Sequence, residues 1–326
     1  MAVSGTIGAT TFDANKIADL AFRRCRIAPS MITAEMQTFA LDNLYLWLSD
    51  LANSRPPSWC IEKIIAPMYQ GKPAVSLPVG TVGILNLNYR VTQTADPDVT
   101  ATSTSYTADL LSSLQISTVG VKWSAASVNL TFQVSSDNVT WTTVGTQTTT
   151  AAAGEWTWTD LSVTNAYQYF RITSASTISY SQIALAYNPQ EIPLGPINRD
   201  TFSAQSNKVF QSRPTNYWFQ RDRETPLINL WPSPYAASEL HQLVILRHRH
   251  VMDTSTLQQE VEVPQHWVEA MVSGLAAKLA AETPLVDINM LGILDQKAAM
   301  ALQKAWEGDS DASPTYIRPN IRGYTR

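Results

Sequence analysis

The chain is short of charge and of cysteine. Charged residues make up 15% of its 326 positions, against the quarter usual in soluble domains. That scarcity excludes a heavily charged helical surface, and abundant Ser, Thr, Asn and Gln supply an uncharged polar one suited to β-structure or to faces covered by protein. Cys25 and Cys60 are its only two cysteines and show no CxxC spacing, which excludes a disulfide framework and a cysteine zinc site and leaves two buried thiols in a reducing compartment. A formal charge of −4 excludes a generally basic nucleic-acid binder, so any DNA contact must be local. No run approaches the ~18 apolar residues of a membrane span, and residues 1–11 carry no basic segment ahead of an apolar one, so neither a membrane anchor nor a signal peptide is expected. GxSxG, HExxH, P-loop and Rossmann spacings are missing too. Carboxylate pairs such as Glu260 and Glu262 read as an ordinary charged strand edge. The expectation is therefore a protein without catalytic residues, cofactor or metal.

What is present begins with two helices. Asp13 caps a first helix in which Ile17, Leu20, Ala21 and Arg24 recur at helical spacing until Pro29. Thr33 caps a second, with Met36, Ala40, Leu44, Trp47, Leu48 and Leu51 on one stripe. Phe39, Leu41 and Tyr45 widen that stripe, so cover from more than one side is expected. After Arg55-Pro56-Pro57 the period becomes alternating, and 61–69, 74–78 and 82–91 read as strands. Further strands are expected around Tyr217-Trp218-Phe219, 227–231 and 243–251. Two helices close the chain. One starts at Pro264, with Trp267, Met271, Leu275 and Leu279 on one face and Ala270, Gly274, Ala277 and Ala281 on a small-residue face for close packing. The other carries Ile288, Leu291, Ala298, Ala301, Leu302 and Trp306 and ends near Gly308.

Composition changes sharply between about residues 92 and 189. About a third of that stretch is Ser or Thr, and its six acids (Asp96, Asp98, Asp109, Asp137, Glu155, Asp160) against two bases (Lys122, Arg171) account for the whole net charge of −4. Short β-type runs without a helix-length pattern mark it as an inserted β-sandwich.

Three groups of residues are candidates for binding. The Arg247-His248-Arg249-His250 run puts both guanidinium groups on one strand face and both imidazoles on the other. Arg247 and Arg249 then face solvent, line a channel for DNA, or bridge subunits. A histidine pair two apart suits a metal, but no further ligand spacing completes a site. Trp123, Trp141, Trp156 and Trp158 offer either a sugar-stacking or docking platform or core packing, and Trp156 and Trp158 share a face. Residues 309–326, with Pro314, Pro319 and Gly323, are too poor in apolar groups to fold unaided. They are either disordered or ordered on a partner, with Tyr316, Ile317, Ile321 and Tyr324 as anchors and Arg318, Arg322 and Arg326 pairing with its carboxylates.

Two resemblances carry these residues further. The order of two helices, a Tyr-Gln-Gly-Lys-Pro turn, Pro-Thr-Asn-Tyr-Trp-Phe, Leu-Ile-Asn-Leu-Trp-Pro-Ser-Pro, Val-Pro-Gln-His-Trp-Val-Glu-Ala and an Ala-rich helix resembles the head-to-tail adaptors, or packaged-DNA stabilisation proteins, of short-tailed bacteriophages. It covers residues 12–91 and 191 to about 307. The stretch Leu130-Thr-Phe-Gln-Val-Ser-Ser-Asp-Asn-Val-Thr-Trp-Thr, with Tyr169-Phe170-Arg171-Ile172 and Ile183-Ala-Leu-Ala-Tyr, is similar to a discoidin-type, galactose-binding-like module, which plain adaptors lack. The expected fold is α+β: a helical adaptor body with a small β-sheet (1–91 and 191–307), an inserted antiparallel jelly-roll or discoidin-like β-sandwich (92–190), and an extended tail (308–326). The adaptor resemblance implies a protein made in the host cytoplasm and carried in the virion neck. There a ring of copies, a dodecamer in that family, would sit between the portal protein and the tail nozzle or tail fibre proteins. It would retain packaged DNA and pass it at ejection, with the tail gripping the portal. The alternative is a carbohydrate-binding virion or tail protein working through the sandwich.

Overall fold

The computed structural model describes residues 11–54, 57–222 and 224–309. Its contacts divide into two units, one of residues up to Cys60 together with those from His250 onward, the other spanning Ile61–Arg249. The helices are, in chain order, α1 (Ala14–Arg24), α2 (Ala34–Ser54), the short α3 (Arg199–Ser203), α4 (Val268–Glu282) and α5 (Ile288–Gly308). All but α3 belong to the first unit.

In that unit the expected caps form. Asp13 accepts the Lys16 amide at 2.8 Å and Thr33 the Met36 amide at 3.3 Å, satisfying donors that a first helical turn leaves open. Ala40, Leu44, Leu48 and Leu51 of α2 are buried with Ile17, Ala21 and Phe22 of α1 and Met271, Leu275 and Leu279 of α4. Small residues let the helices approach closely: a Cβ on Gly274 would lie 2.5 Å from the Trp47 indole. Phe39 and Tyr45, which widen the α2 stripe, remain 37% and 47% exposed. No described helix is long and apolar enough to cross a membrane.

The second unit holds fifteen strands among the described residues: β1 (Ile61–Pro67), β2 (Ala74–Ser76), β3 (Thr81–Thr94), β4 (Asp98–Ala101), β5 (Ser105–Leu114), β6 (Ile116–Trp123), β7 (Leu130–Ser135), β8 (Thr142–Gln147), β9 (Trp156–Asp160), β10 (Tyr167–Thr173), β11 (Tyr180–Pro193), β12 (Gly195–Pro196), β13 (Asn216–Gln220), β14 (Leu227–Trp231) and β15 (Gln242–Arg249). They form a six-stranded sheet ordered β1-β15-β3-β11-β6-β9, a five-stranded sheet β4-β5-β10-β7-β8 and a four-stranded sheet β12-β13-β14-β2. Every pairing is antiparallel except the two-residue β12 with β13.

The six-stranded sheet serves two cores. Its β6 and β11 face the five-stranded sheet across Val119, Val121, Trp123, Leu185, Phe132 and Phe170, which makes this part an antiparallel β-sandwich. Its β3 and β15 face the four-stranded sheet across Leu87, Tyr89, Leu243, Ile245, Ile228 and Leu230. Both β3 and β11 are fourteen residues long and run past positions 91 and 190. Their pairing, from Ala186 with Thr94 to Pro193 with Asn88, makes one continuous sheet of the sandwich and the strands outside it. The fold is thus α+β with a β-sandwich.

Candidate functional site

The site is built on β9. Trp156 and Trp158 project from the same side of this strand, away from the sandwich core, and stack with ring centroids 5.2 Å apart and planes 15° from parallel. Thr157 points the other way and its Oγ1 accepts the indole N–H of the core residue Trp123 at 3.0 Å. A glycine makes the stacking possible. Gly120 of β6 pairs with Trp158, and a Cβ there would fall 2.5 Å from the Trp158 ring, closer than any real side chain sits. Ala184 and Ala186 extend this small-residue floor, and Ile65, Tyr69 and Leu240 pack beside it.

The six-stranded sheet curls until its edge strands β1 and β9 approach. The Trp156 amide donates to Tyr69 Oη at 3.0 Å, and Lys63 Nζ reaches Asp160 at 2.7 Å. Tyr69 sits on the turn that the Gln70-Gly71-Lys72-Pro73 sequence predicts. Gly71 takes a φ of +70°, which glycine adopts freely, and the Lys72 amide returns to Tyr69 O at 3.1 Å. That turn carries Lys72 Nζ to 5.3 Å from the Tyr69 ring centroid.

Between these elements lies a cleft of about 430 Å³, within the roughly 300–1,000 Å³ typical of small-ligand sites. Tyr69, Lys72, Thr149, Thr150, Glu155, Trp156, Thr157 and Trp158 contribute to its walls, with Pro67 and Val75. Burial, reinforced by the Glu155 and Glu239 charges, pushes the Tyr69 hydroxyl above its ordinary range, against the lowering effect of the Trp156 amide. Tyr69 therefore stays protonated near neutrality and keeps an O–H to donate. Glu155 Oε2 accepts the Ala152 amide at 2.8 Å, leaving its other oxygen at an exposed rim. Lys122 lies 5.8 Å from the Trp156 ring centroid and pairs with Glu239 at 3.2 Å. The Nε1 atoms of Trp156 and Trp158 are buried with no acceptor among the described residues. An apolar floor of indole, one ammonium, one carboxylate and several hydroxyls suits a ligand with both an apolar face and many hydroxyl groups.

The residues singled out from the sequence are placed as follows. Trp156 and Trp158 are 3% and 8% exposed and line the cleft together. Trp123 is fully buried in the sandwich core. Trp141 stands apart, with the Arg171 guanidinium 4.1 Å from its ring centroid and Arg171 in turn donating to Gln133 at 2.7 Å. Arg247 and Arg249 are only 6% and 9% exposed. Both reach Glu62 of the adjacent β1, at 2.7 and 2.5 Å, which turns that strand face inward to a carboxylate. His248 is buried and His250 exposed. No cluster of three or more His, Cys, Asp or Glu side chains suited to a metal occurs among the described residues. Tyr316, Ile317, Arg318, Ile321, Arg322, Tyr324 and Arg326 lie outside the described residues. Tyr69 and Lys72 carry no local sequence signal that they meet β9, and Glu155, directly ahead of β9, stands out in sequence only as one of the six acids of its stretch.

No family model matches the chain, and no curated protein does. Solved structures with similar parts include the CBM32 of AlyQ in complex with 4,5-unsaturated mannuronic acid, 18% identical, covering 33% of this chain and 98% of that one at a TM-score of 0.23. Another is a CBM32 from Clostridium perfringens in complex with GalNAc-β-1,3-galactose, at 10% identity, 41% and 100% coverage and a TM-score of 0.23. A third is a chitosan-binding module from Paenibacillus sp. IK-5 in complex with chitotriose, at 21% identity, 36% and 98% coverage and a TM-score of 0.22.

Proposed function

We propose that this protein binds carbohydrate without turning it over, through the β-sandwich unit, and that the cleft beside Trp156 and Trp158 is the binding site. The observation that carries the reading is the composition of that cleft. The indoles of Trp156 and Trp158, 3% and 8% exposed, give the cleft an apolar wall, while Lys72, Glu155, Tyr69 and the Thr149 and Thr150 hydroxyls ring it with donors and acceptors for sugar hydroxyls. The test is calorimetric titration of the full chain with a panel of neutral, amino and uronic oligosaccharides, repeated on Lys72→Ala and Glu155→Gln. Binding that weakens about tenfold in either variant supports the reading, since one charge-assisted hydrogen bond has that scale. A panel with no binder, or variants that bind as the parent does, would overturn it.

A second reading, the structural head-to-tail adaptor of a phage neck, is favoured by a different feature. The helical unit leaves large apolar side chains uncovered, Phe39, Tyr45 and Leu46 on α2 and Ile288, Ile293 and Met300 on α5, the last three 79%, 48% and 52% exposed. Surfaces of that kind are covered when copies or partners assemble. In this reading a ring of copies joins portal protein to tail nozzle or fibre proteins around packaged DNA, and the sandwich serves that particle by gripping saccharide. Native mass measurement alone and with a portal protein decides it. Rings support the adaptor, and a persistent monomer in both samples removes it.

A further inference from the structure

Trp141 takes no part in the cleft, and its partner Arg171 lies on the other sheet. Along β10, Phe170 and Ile172 turn into the sandwich core, so the half-buried Tyr169, Arg171 and Thr173 between them lie on the outer face of the five-stranded sheet. Arg171 is paired in register with Thr107 of β5 and Gln133 of β7. Gln133 Oε1 accepts from Arg171 Nε at 3.0 Å and from Nη2 at 2.7 Å, and the guanidinium carbon lies 4.1 Å from the Trp141 ring centroid. An indole against one face and an amide at one edge hold a group that is otherwise mobile on its long stem. The Nη1 end of the guanidinium keeps its donors without a partner among the described residues.

This cation has no carboxylate, although the stretch around it is rich in acids. Lys122, the only other base between residues 92 and 189, pairs with Glu239. Asp137 shares the hairpin loop of Trp141 but is turned back on its own turn. Its Oδ1 accepts the Thr140 and Val139 amides at 2.8 and 2.9 Å, and its Oδ2 the Thr140 hydroxyl at 2.9 Å. The Thr140 and Val139 amides, with the Ser135 and Thr140 hydroxyls, hold that carboxyl well below the usual carboxylate range. Asp109, opposite Tyr169 on β5, accepts the Leu111 amide at 2.9 Å and the Gln168 side chain at 3.2 Å. Both neighbouring acids are thus engaged elsewhere. Beside the guanidinium the sheet face is uncharged and bears the hydroxyls of Thr107, Thr131, Thr173 and Tyr169.

We propose that Arg171 anchors a second binding site, on the outer face of the five-stranded sheet, for an acidic saccharide. A ring carboxylate of the ligand pairs with the open Nη1 end, and the ligand's hydroxyls meet the threonine and tyrosine hydroxyls beside it. Trp141 and Gln133 are positioning residues that keep the guanidinium fork at one angle, which a carboxylate matches better than it matches an ammonium. The hydroxyl-bearing face favours a saccharide over an acidic peptide, which brings fewer hydroxyls to meet it. The site does not depend on the cleft beside β9.

The test is calorimetry on the full chain carrying Lys72→Ala, which weakens the cleft, with an oligogalacturonate and with the neutral oligogalactose of equal length. The acid is expected to bind about fivefold more tightly, the scale of one partly exposed ion pair, and the preference should shrink as salt is raised. Arg171→Gln should abolish the preference and Arg171→Lys should keep only part of it. Trp141→Leu, which frees the guanidinium without removing its charge, should at least halve it. Because the readout is a ratio of two ligands on one variant, a general loss of fold lowers both affinities and does not imitate the result. An Arg171→Gln chain that retains the full preference would overturn the proposal, as would the absence of any preference. Loss of the preference on introducing Lys72→Ala would overturn it too, by placing the carboxylate in the cleft. A polyglutamate peptide that displaces the oligogalacturonate at equal concentration would assign the face to acidic peptides instead.

Discussion

Arg90 and Asp160 meet at 2.6 Å, the guanidinium only 5% exposed, and they tie β3 to β9 across one face of the six-stranded sheet. Arg90 also holds Glu191 at 2.7 Å, and Lys63 reaches Asp160 from β1. Four strands are thus joined by one charged cluster. Burial acts to raise the Asp160 and Glu191 carboxyls, but hydrogen bonds from Arg90, with Lys63 and Asn88, outweigh it and hold both below the usual carboxylate range. Glu62 is lowered in the same way, its burial outweighed by Arg247 and Arg249.

Acid stability follows with a definite sign. Carboxyls lowered in the folded state contribute stability that is complete above their unfolded values, near pH 4, and is lost as pH falls through their folded values. Urea midpoints should be level from pH 6 to 8 and drop below about pH 4. Asp160→Asn should cost about 2 kcal/mol at pH 7, because Arg90 stays buried with only Glu191 left, and should flatten the acid drop. An unchanged midpoint at pH 7 would remove this cluster from the stability of the sheet.

Gly120→Ala tests the floor of the cleft. The added methyl would meet the Trp158 ring at 2.5 Å, and overpacking of this kind costs about 1–3 kcal/mol. Thermal unfolding should fall accordingly, and displaced Trp158 should change the near-ultraviolet circular dichroism.

Gly274→Ala makes the parallel test in the helical unit, where the methyl would strike Trp47. A loss of about 1–3 kcal/mol is expected. A stabilised variant, as alanine would give at an open helical site, would show that α4 and α2 do not pack closely there.

Cys25 should be silent to thiol reagents in the native protein. Burial pushes its thiol up to about 11, and its Sγ–H faces Ala276 O at 3.3 Å. Titration at pH 8 should find neither thiol native and both of the free cysteines, Cys25 and Cys60, in denaturant.

Local features were legible in the amino-acid order. Asp13 and Thr33 cap helices because a side-chain oxygen reaches an amide three residues on, and Gly274 marks close packing because its neighbours at helical spacing are also small. Alternation placed β14 and β15 within a residue or two and β3 but for its last three residues, and the shared face of Trp156 and Trp158 followed from strand geometry. Partnerships across the chain were not legible. Tyr69 meets Trp156 over 87 residues and Arg247 meets Glu62 over 185, so an Arg-His-Arg-His strand whose cationic face reads as open to solvent, DNA or another subunit is instead met by a carboxylate on the next strand. Composition likewise marked residues 92–190 as distinct, yet hydrogen bonding along β3 and β11 carries one sheet through both of its ends.

The most direct measurement is a nitrogen-proton correlation spectrum of the tryptophan indoles in the full chain, recorded during saccharide titration. The cleft account predicts that the Trp156 and Trp158 indole signals, assigned by Trp→Phe substitution, shift in step with saturation while Trp123 in the sandwich core stays in place. A saccharide that binds the chain and leaves both cleft signals unmoved would contradict it.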